Sequence, residues 1–171
     1  MVPLSPLVSL VWVSDVPPEE VCWFWHPYIP IGKLSLLEGD PGIGKSWISL
    51  ALARDASQGL KPGENVHHGG DPRNVLLVTA EDGVGDTIRP RLDKMGAGNT
   101  RVCCLEGALS LDPAGLETLG NKIAEVKPIL VVIDPIQAYM PGVDINKANE
   151  VRQILAALAA LAQKYSCAIL I

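Results

Sequence analysis

The string GDPGIGKS at residues 39–46 constrains this chain more than any other feature. It satisfies the spacing GxxxxGK[ST], and it lies between an apolar run, LSLLE, and a helical pattern, WISLALARDA. Strand, tight loop and helix are the context such a string needs. The loop has to curl so that successive backbone N–H groups converge on one anion, and Gly42 and Gly44 permit that backbone and the close approach of a ligand. Amides at the start of the following helix add their partial positive charge. Lys45 is then placed to reach the β and γ phosphates of a nucleotide, and the Ser46 hydroxyl to ligate Mg²⁺. The expected ligand is a nucleoside triphosphate held by Gly39, Asp40, Pro41, Gly42, Ile43, Gly44, Lys45 and Ser46. Trp47 joins this nucleotide-binding set by position, although packing of the helix on the sheet is the preferred role for its ring.

Around the loop, short apolar runs alternate with helical patterns, which predicts βαβ units and an α/β fold with a mostly parallel central sheet flanked by helices. Strands are predicted at residues 34–38, 75–79, 101–105, 129–133 and 167–171. Asp112 and Pro113 predict a capped helix start, followed by Leu116, Leu119, Ile123 and Val126 at helical spacing. Val151, Ile154, Leu155, Leu158, Leu161 and Tyr165 mark one face of a last helix, with Asn146 or Asn149 as its cap. Ile88, Leu92 and Met95 mark a shorter helix starting near Gly85 or Asp86, because Pro90 is tolerated only in a first turn. Residues 1–33 read as a lead-in that anchors its aromatics on the domain, and residues 34–171 as the core. The apolar opening is a tail or an edge strand; it has no basic start, carries prolines and is too short to span a bilayer.

With 171 residues, 48% of them hydrophobic but only 5% aromatic, the core must be built from Val, Ile, Leu and Ala. Fourteen Lys and Arg against 19 Asp and Glu give a net charge of -5, which excludes a basic nucleic-acid coat. A local set of cations still suffices for contact with a phosphate backbone. Cys22, Cys103, Cys104 and Cys167 lack zinc spacing and read as buried free thiols of a cytoplasmic protein, with Cys103 and Cys104 facing opposite sides of a strand. His67 and His68, in a glycine-rich stretch over residues 60–73, read as solvent-exposed rather than metal-binding.

A phosphate loop also needs a carboxylate for the metal, delivered from the end of a neighbouring buried strand. ILVVID at residues 129–134 runs five apolar residues into one acid, so Asp134 joins Ser46 as the second metal ligand. A turn aspartate before Pro135 is the competing reading. The residue after Asp134 is not a glutamate, so a base has to come from elsewhere. Glu81, at the end of NVLLVTAED and on the same sheet edge as the loop, is preferred over Asp82, whose shorter side chain suits a cap on the following turn.

Three strings, WFWHPYIPIGKLSLLEGDPGIGKS, VLLVTAEDGVGDTIRPRL and ILVVIDPIQAYMPGVDINKANEVR, resemble the RecA-like P-loop ATPases. Within that group they are similar to the plasmid and phage replicative helicases related to hexameric RepA. The resemblance runs over residues 23–171. It implies a homo-oligomeric, hexameric ATPase using ATP and Mg²⁺, in which Glu81 is the catalytic base. It also implies an arginine on the next helix, with Arg91 as the match and Arg89 as the competitor, near phosphate or a neighbouring subunit. Family members carry a polar sensor just past the strand that reads SCAILI here, then further strands and an intersubunit arginine finger. The resemblance therefore implies a piece of a longer protein, ending on a strand that lies between the loop strand and the Asp134 strand. None of the 14 basic residues is assigned as the finger.

The expected reaction is hydrolysis of ATP to ADP and phosphate, with Lys45 and Glu81 as catalytic residues. In the longer protein it is expected to drive movement along single-stranded DNA during replication. Gln137 is placed to sense the γ phosphate and relay it to residues 138–147, where Lys147 is the sole cation of a candidate DNA-contacting loop; a bond to local backbone is its competing role. Two other readings stand beside this one: a RecA-like regulatory or recombination-associated ATPase that switches assembly without moving DNA, and a small-molecule kinase, for which no arginine-rich lid is visible.

Overall fold

The structure is a computed structural model that describes residues 10–63, 70–97, 99–140, 142 and 148–171. His67, His68, Asn146 and Lys147 lie outside the described residues. In chain order the elements are β1 (Trp23–Trp25), β2 (Ile29–Pro30), β3 (Leu34–Ser35), α1 (Lys45–Gln58), β4 (Val75–Thr79), α2 (Arg89–Lys94), β5 (Val102–Leu105), α3 (Pro113–Val126), β6 (Leu130–Asp134), α4 (Ala148–Tyr165) and β7 (Ala168–Leu170). β1 and β2 form an antiparallel hairpin. The remaining five strands make one parallel sheet in the order β3-β7-β6-β4-β5. The loop strand, the last strand, the Asp134 strand and the Glu81 strand therefore stand side by side.

Strict alternation along the strands sorts the core into two halves. Leu76, Val78, Val131, Ile133 and Ile169 pack with Leu119 and Ile123 of α3 and with Ile154 and Leu158 of α4. Val75, Leu77, Leu130, Val132, Ala168 and Leu170 pack with Leu50, Leu52 and Ala53 of α1 and with Leu92 of α2. Two helices thus cover each face, which is why β4 and β6 read as unbroken apolar runs. Each Val, Leu or Ile among them, fully buried, contributes about 1.5–3 kcal/mol of hydrophobic free energy. Cys103 packs on the first half and Cys104 on the second, as residues adjacent in a strand must.

Local chemistry explains the helix ends. Asp112 accepts a hydrogen bond from the Gly115 amide at 2.9 Å, and Pro113 takes the first position of α3. α1 stops at Gly59, whose φ of 70° is the left-handed conformation glycine adopts freely.

Several expectations are corrected. The lead-in is not merely an anchored linker: Trp23–Trp25 and Ile29–Pro30 pair as a hairpin, with Ile29 buried and Phe24 and Trp25 packed against the core. Of the apolar opening only residues 10–13 are described; Leu10, Trp12 and Val13 are exposed and in no strand, which agrees with the tail rather than the edge-strand alternative there. The strand predicted over residues 34–38 is regular only at Leu34 and Ser35, although the Leu37 amide still donates to the Ile171 carbonyl at 2.8 Å, so the pairing with β7 runs on to Leu37. A π-helical turn, Val84–Ile88, precedes α2 and absorbs the start expected near Gly85 or Asp86, leaving Pro90 in the first turn of α2. Asn149 lies inside α4, which begins at Ala148, so it is not the cap. Cys167 is buried, Cys103 and Cys104 are half-buried and Cys22 is exposed, so the expectation of four buried thiols holds fully only at Cys167 and fails outright at Cys22. No helix among the described residues is long and apolar enough to cross a membrane.

Candidate functional site

In a parallel sheet every strand delivers its carboxyl end to the same edge, and the candidate residues gather there. A cleft of about 800 Å³ lies along that edge. Its lining includes Gly39, Pro41, Gly42, Gly44, Lys45, Ser46, Trp47, Glu81, Asp82, Arg91, Asp134 and Gln137. Leu36, Leu37, Glu38, Pro135, Ile136 and Ile171, which sequence reasoning did not single out, complete it. They come from strand ends and the turn after β6, positions visible only once the strand order is known. Asp40 and Ile43 belong to the same loop but are not among the lining residues.

The loop has the shape an anion cradle requires. Gly42 and Gly44 adopt φ of 82° and 97°, a region where a side chain is strained, and a Cβ added at either would meet nothing within 4 Å. Their need is conformational rather than steric. At Gly39 the reverse holds, since an added Cβ would run into the Ile43 side chain. Gly44 caps α1 without any side-chain hydrogen bond, so the first amides of the helix are left for an external acceptor. The Lys45 ammonium donates to the carbonyls of Gly39 at 2.7 Å and Asp40 at 2.9 Å, which holds it across the mouth of the loop.

Opposite the loop, the Ser46 hydroxyl donates to Asp134 Oδ2 at 2.8 Å across 88 residues of sequence. Both groups are half-buried. Two hard oxygen donors side by side next to a polyphosphate cradle fit Mg²⁺, which takes one or two protein oxygens and completes its shell with phosphate and water. Among the described residues no group of three or more His, Cys, Asp or Glu is arranged to hold a metal alone. Asp134 Oδ2 is thus engaged by the loop serine rather than by a neighbour in its own turn. Its charge also faces Tyr139, whose hydroxyl pKa is raised by burial first and by Asp134 second.

The two neighbouring carboxylates after β4 have different surroundings. Asp82 accepts an ion pair from Arg91 at 2.7 Å, so its expected role as a turn cap is replaced by a bridge to α2. Glu81 is exposed to the cleft and makes no hydrogen bond or ion pair with the described residues. Arg91 lies in the cleft wall, tied to Asp82, with its guanidinium carbon 5.3 Å from the Trp47 ring centre. Arg89 instead pairs with Asp93 on the surface at 2.9 Å. Trp47 is 46% exposed, which overturns the preferred reading that its ring packs α1 on the sheet. Gln137 is exposed in a 3₁₀ turn, Ile136–Tyr139, where its backbone carbonyl accepts from the Met140 amide and its side chain remains unengaged among the described residues.

Parallel strand order, phosphate loop and the acid at the end of β6 define a RecA-like P-loop ATPase. The chain belongs to the family described as AAA domain, which matches residues 3–171. It is similar to the DNA repair protein RadA of Mycobacterium tuberculosis, with 30% identity over 130 residues, 76% of this chain and 24% of that protein. The DNA repair protein RadA of Bacillus subtilis is 30% identical over 136 residues, 77% of this chain and 25% of that protein. That of Aquifex aeolicus is 28% identical over 123 residues. The chain spans about a quarter of the length of the curated relatives it matches.

Proposed function

We propose that this domain binds ATP with Mg²⁺ and hydrolyses it to ADP and phosphate, and that in a longer, oligomeric protein the reaction works on DNA. The observation that carries the proposal is the Ser46–Asp134 contact at 2.8 Å beside an uncapped helix start. It joins the loop to the strand acid on the side where phosphate oxygens arrive.

The residues divide the work. Amides of residues 42–46 and the Lys45 ammonium bind the β and γ phosphates and stabilise the charge that grows on them. Ser46 and Asp134 would hold Mg²⁺, which supplies charge neutralisation when bound. Glu81 accepts a proton from the attacking water as its oxygen closes on the γ phosphorus and ADP departs. Asp82 is unsuited to that task because Arg91 occupies it. Gln137, exposed on the cleft in the turn after β6, would sense the γ phosphate.

For the work done with this energy, the three strings quoted above support a RepA-type replicative helicase, a hexamer moving on single-stranded DNA. The likeness to DNA repair protein RadA favours a second reading, a repair or recombination ATPase that switches assembly with nucleotide state. An ATPase assay with and without single-stranded DNA, together with mass in solution and an unwinding assay, tests both. Stimulated turnover with strand separation supports the helicase; stimulated turnover without it supports the second reading. Absence of any ATP turnover in the full-length protein overturns the proposal.

A further inference from the structure

Beside the Ser46–Asp134 contact, on the sheet face covered by α1, lies a small cavity of about 20 Å³ that the hydrolytic scheme leaves unused. Leu50, Leu77 and Val132 give it an apolar lining, and Thr79, Asp82 and Asp134 a polar one. Thr79 and Asp134 are register partners in the parallel ladder between β4 and β6. Residues paired in this way point to one face, and the pair two positions earlier, Leu77 and Val132, packs on the α1 side. Thr79 is half-buried at the end of a strand that is otherwise apolar, and its hydroxyl makes no hydrogen bond with the described residues. Each acid has one oxygen engaged elsewhere: Asp134 Oδ2 by Ser46 at 2.8 Å, and Asp82 Oδ2 by Arg91 at 2.7 Å. A donor without an acceptor thus stands between two acids with acceptor capacity to spare, an arrangement that costs free energy unless something joins them.

We infer that the cavity is a site for one ordered water molecule, which accepts a hydrogen bond from the Thr79 hydroxyl and donates to the carboxylates of Asp82 and Asp134. One water needs roughly 10–15 Å³ of such space and two to four polar partners, and the cavity meets both conditions. Donors and acceptors balance, since the water has two protons for two acids and Thr79 supplies the one its oxygen accepts. Ser49 lines the cavity too, but its hydroxyl already donates to the Lys45 carbonyl at 3.3 Å, so Thr79 is the donor left for the water. The inference rests on the proposed binding of ATP with Mg²⁺ and adds to it a positioning residue. Ser46 holds Asp134 from the loop, and Thr79, through the water, holds the same carboxylate from the sheet, so its plane is set before an ion arrives.

A crystal structure of the full chain without nucleotide, at a resolution that shows ordered water, tests the site by itself. One water within hydrogen-bond distance of Thr79, Asp82 and Asp134 is expected; no peak there, or one that does not reach Thr79, overturns the inference. Thr79→Val keeps the branched shape and loses the hydroxyl, so it tests what the water does. With a nonhydrolysable ATP analogue present, Mn²⁺ titration followed by electron paramagnetic resonance is expected to show about tenfold weaker ion binding in this variant. The analogue alone, in EDTA, is expected to bind as it does to the unaltered chain. Thr79→Ser, which restores the hydroxyl, is expected to recover most of the Mn²⁺ affinity. Equal Mn²⁺ affinity in Thr79→Val, or a loss as large in Thr79→Ser, overturns the positioning role. If the unaltered chain binds neither analogue nor ion, the ATP-binding reading falls and the positioning role with it, while the crystal still decides the water site. The same crystal decides the inference should Thr79→Val not fold.

Discussion

The interior of the parallel sheet and its carboxyl edge are one residue apart in sequence and opposite in character. Along β6, Leu130, Val131, Val132 and Ile133 are at most 4% exposed, and the next residue, Asp134, is half-buried and bonded to Ser46. Along β4, Val75 to Val78 are equally enclosed, while Glu81 and Asp82, just past the strand, reach the cleft. The interior supplies rigidity through apolar contact, and an unpaired charge there would be ruinous. The edge supplies charge, because strand ends lie where the helices no longer cover them. Chemistry at the edge therefore depends on the interior for position, whereas the interior does not depend on the chemistry.

This contrast can be broken by substitutions at one region that behave like the other. Lys45→Ala should give the largest effect, removing nucleotide binding and turnover, with an unfolding midpoint close to that of the unaltered protein; calorimetric titration and circular dichroism check the two halves. Glu81→Gln should reduce turnover by roughly 10²–10⁴-fold while ATP affinity is retained. Normal single-turnover rates in that variant would transfer the proton to another group. In the interior, Leu158→Ala, at a position fully shielded from solvent, should cost about 2–5 kcal/mol in denaturant unfolding and leave turnover intact below the transition.

Thiol reactivity sharpens the same distinction more gently. Burial pushes the Cys104 and Cys167 thiols up to about 11, so both stay protonated at neutral pH and should resist alkylation. Cys22, exposed on the lead-in, should label first by mass spectrometry. The smallest effect belongs to Asp112. The Gly115 amide holds its carboxyl below the ordinary value of 3.8, so the cap stabilises the fold above that value and is lost as pH falls through the folded pKa. Asp112→Ala should lower the thermal midpoint slightly at pH 7, and the difference should vanish in acid.

How much of this was legible depended on whether a feature was local. Val75–Thr79 was readable to the residue from its apolar run, and the start of α3 at Pro113 from its Asp-Pro pair. That Gly42, Gly44, Lys45, Ser46 and Asp134 gather at one edge was legible because their spacing and their place at a strand end put them there. The hairpin was hidden because Pro27 and Pro30 suppress the strand pattern, and what holds it is the packing of Phe24, Trp25 and Ile29 on residues far along the chain. The Asp82–Arg91 pair was hidden for another reason: it depends on how the turn Val84–Ile88 aims α2 back at the end of β4, a quantity no periodicity encodes. Trp47 was misjudged on similar grounds, since Ile48 beside it is also exposed and the first turn of α1 has no clean apolar stripe.

The central claim is that the loop and the β6 acid together hold one nucleotide. Its most direct test is a crystal structure of the chain grown with a nonhydrolysable ATP analogue and Mg²⁺. The account predicts the triphosphate in the curl of residues 39–46, with the ion between Ser46 and Asp134 and Glu81 facing the γ phosphate. A nucleotide bound elsewhere, or an ion that leaves Asp134 untouched, would contradict it.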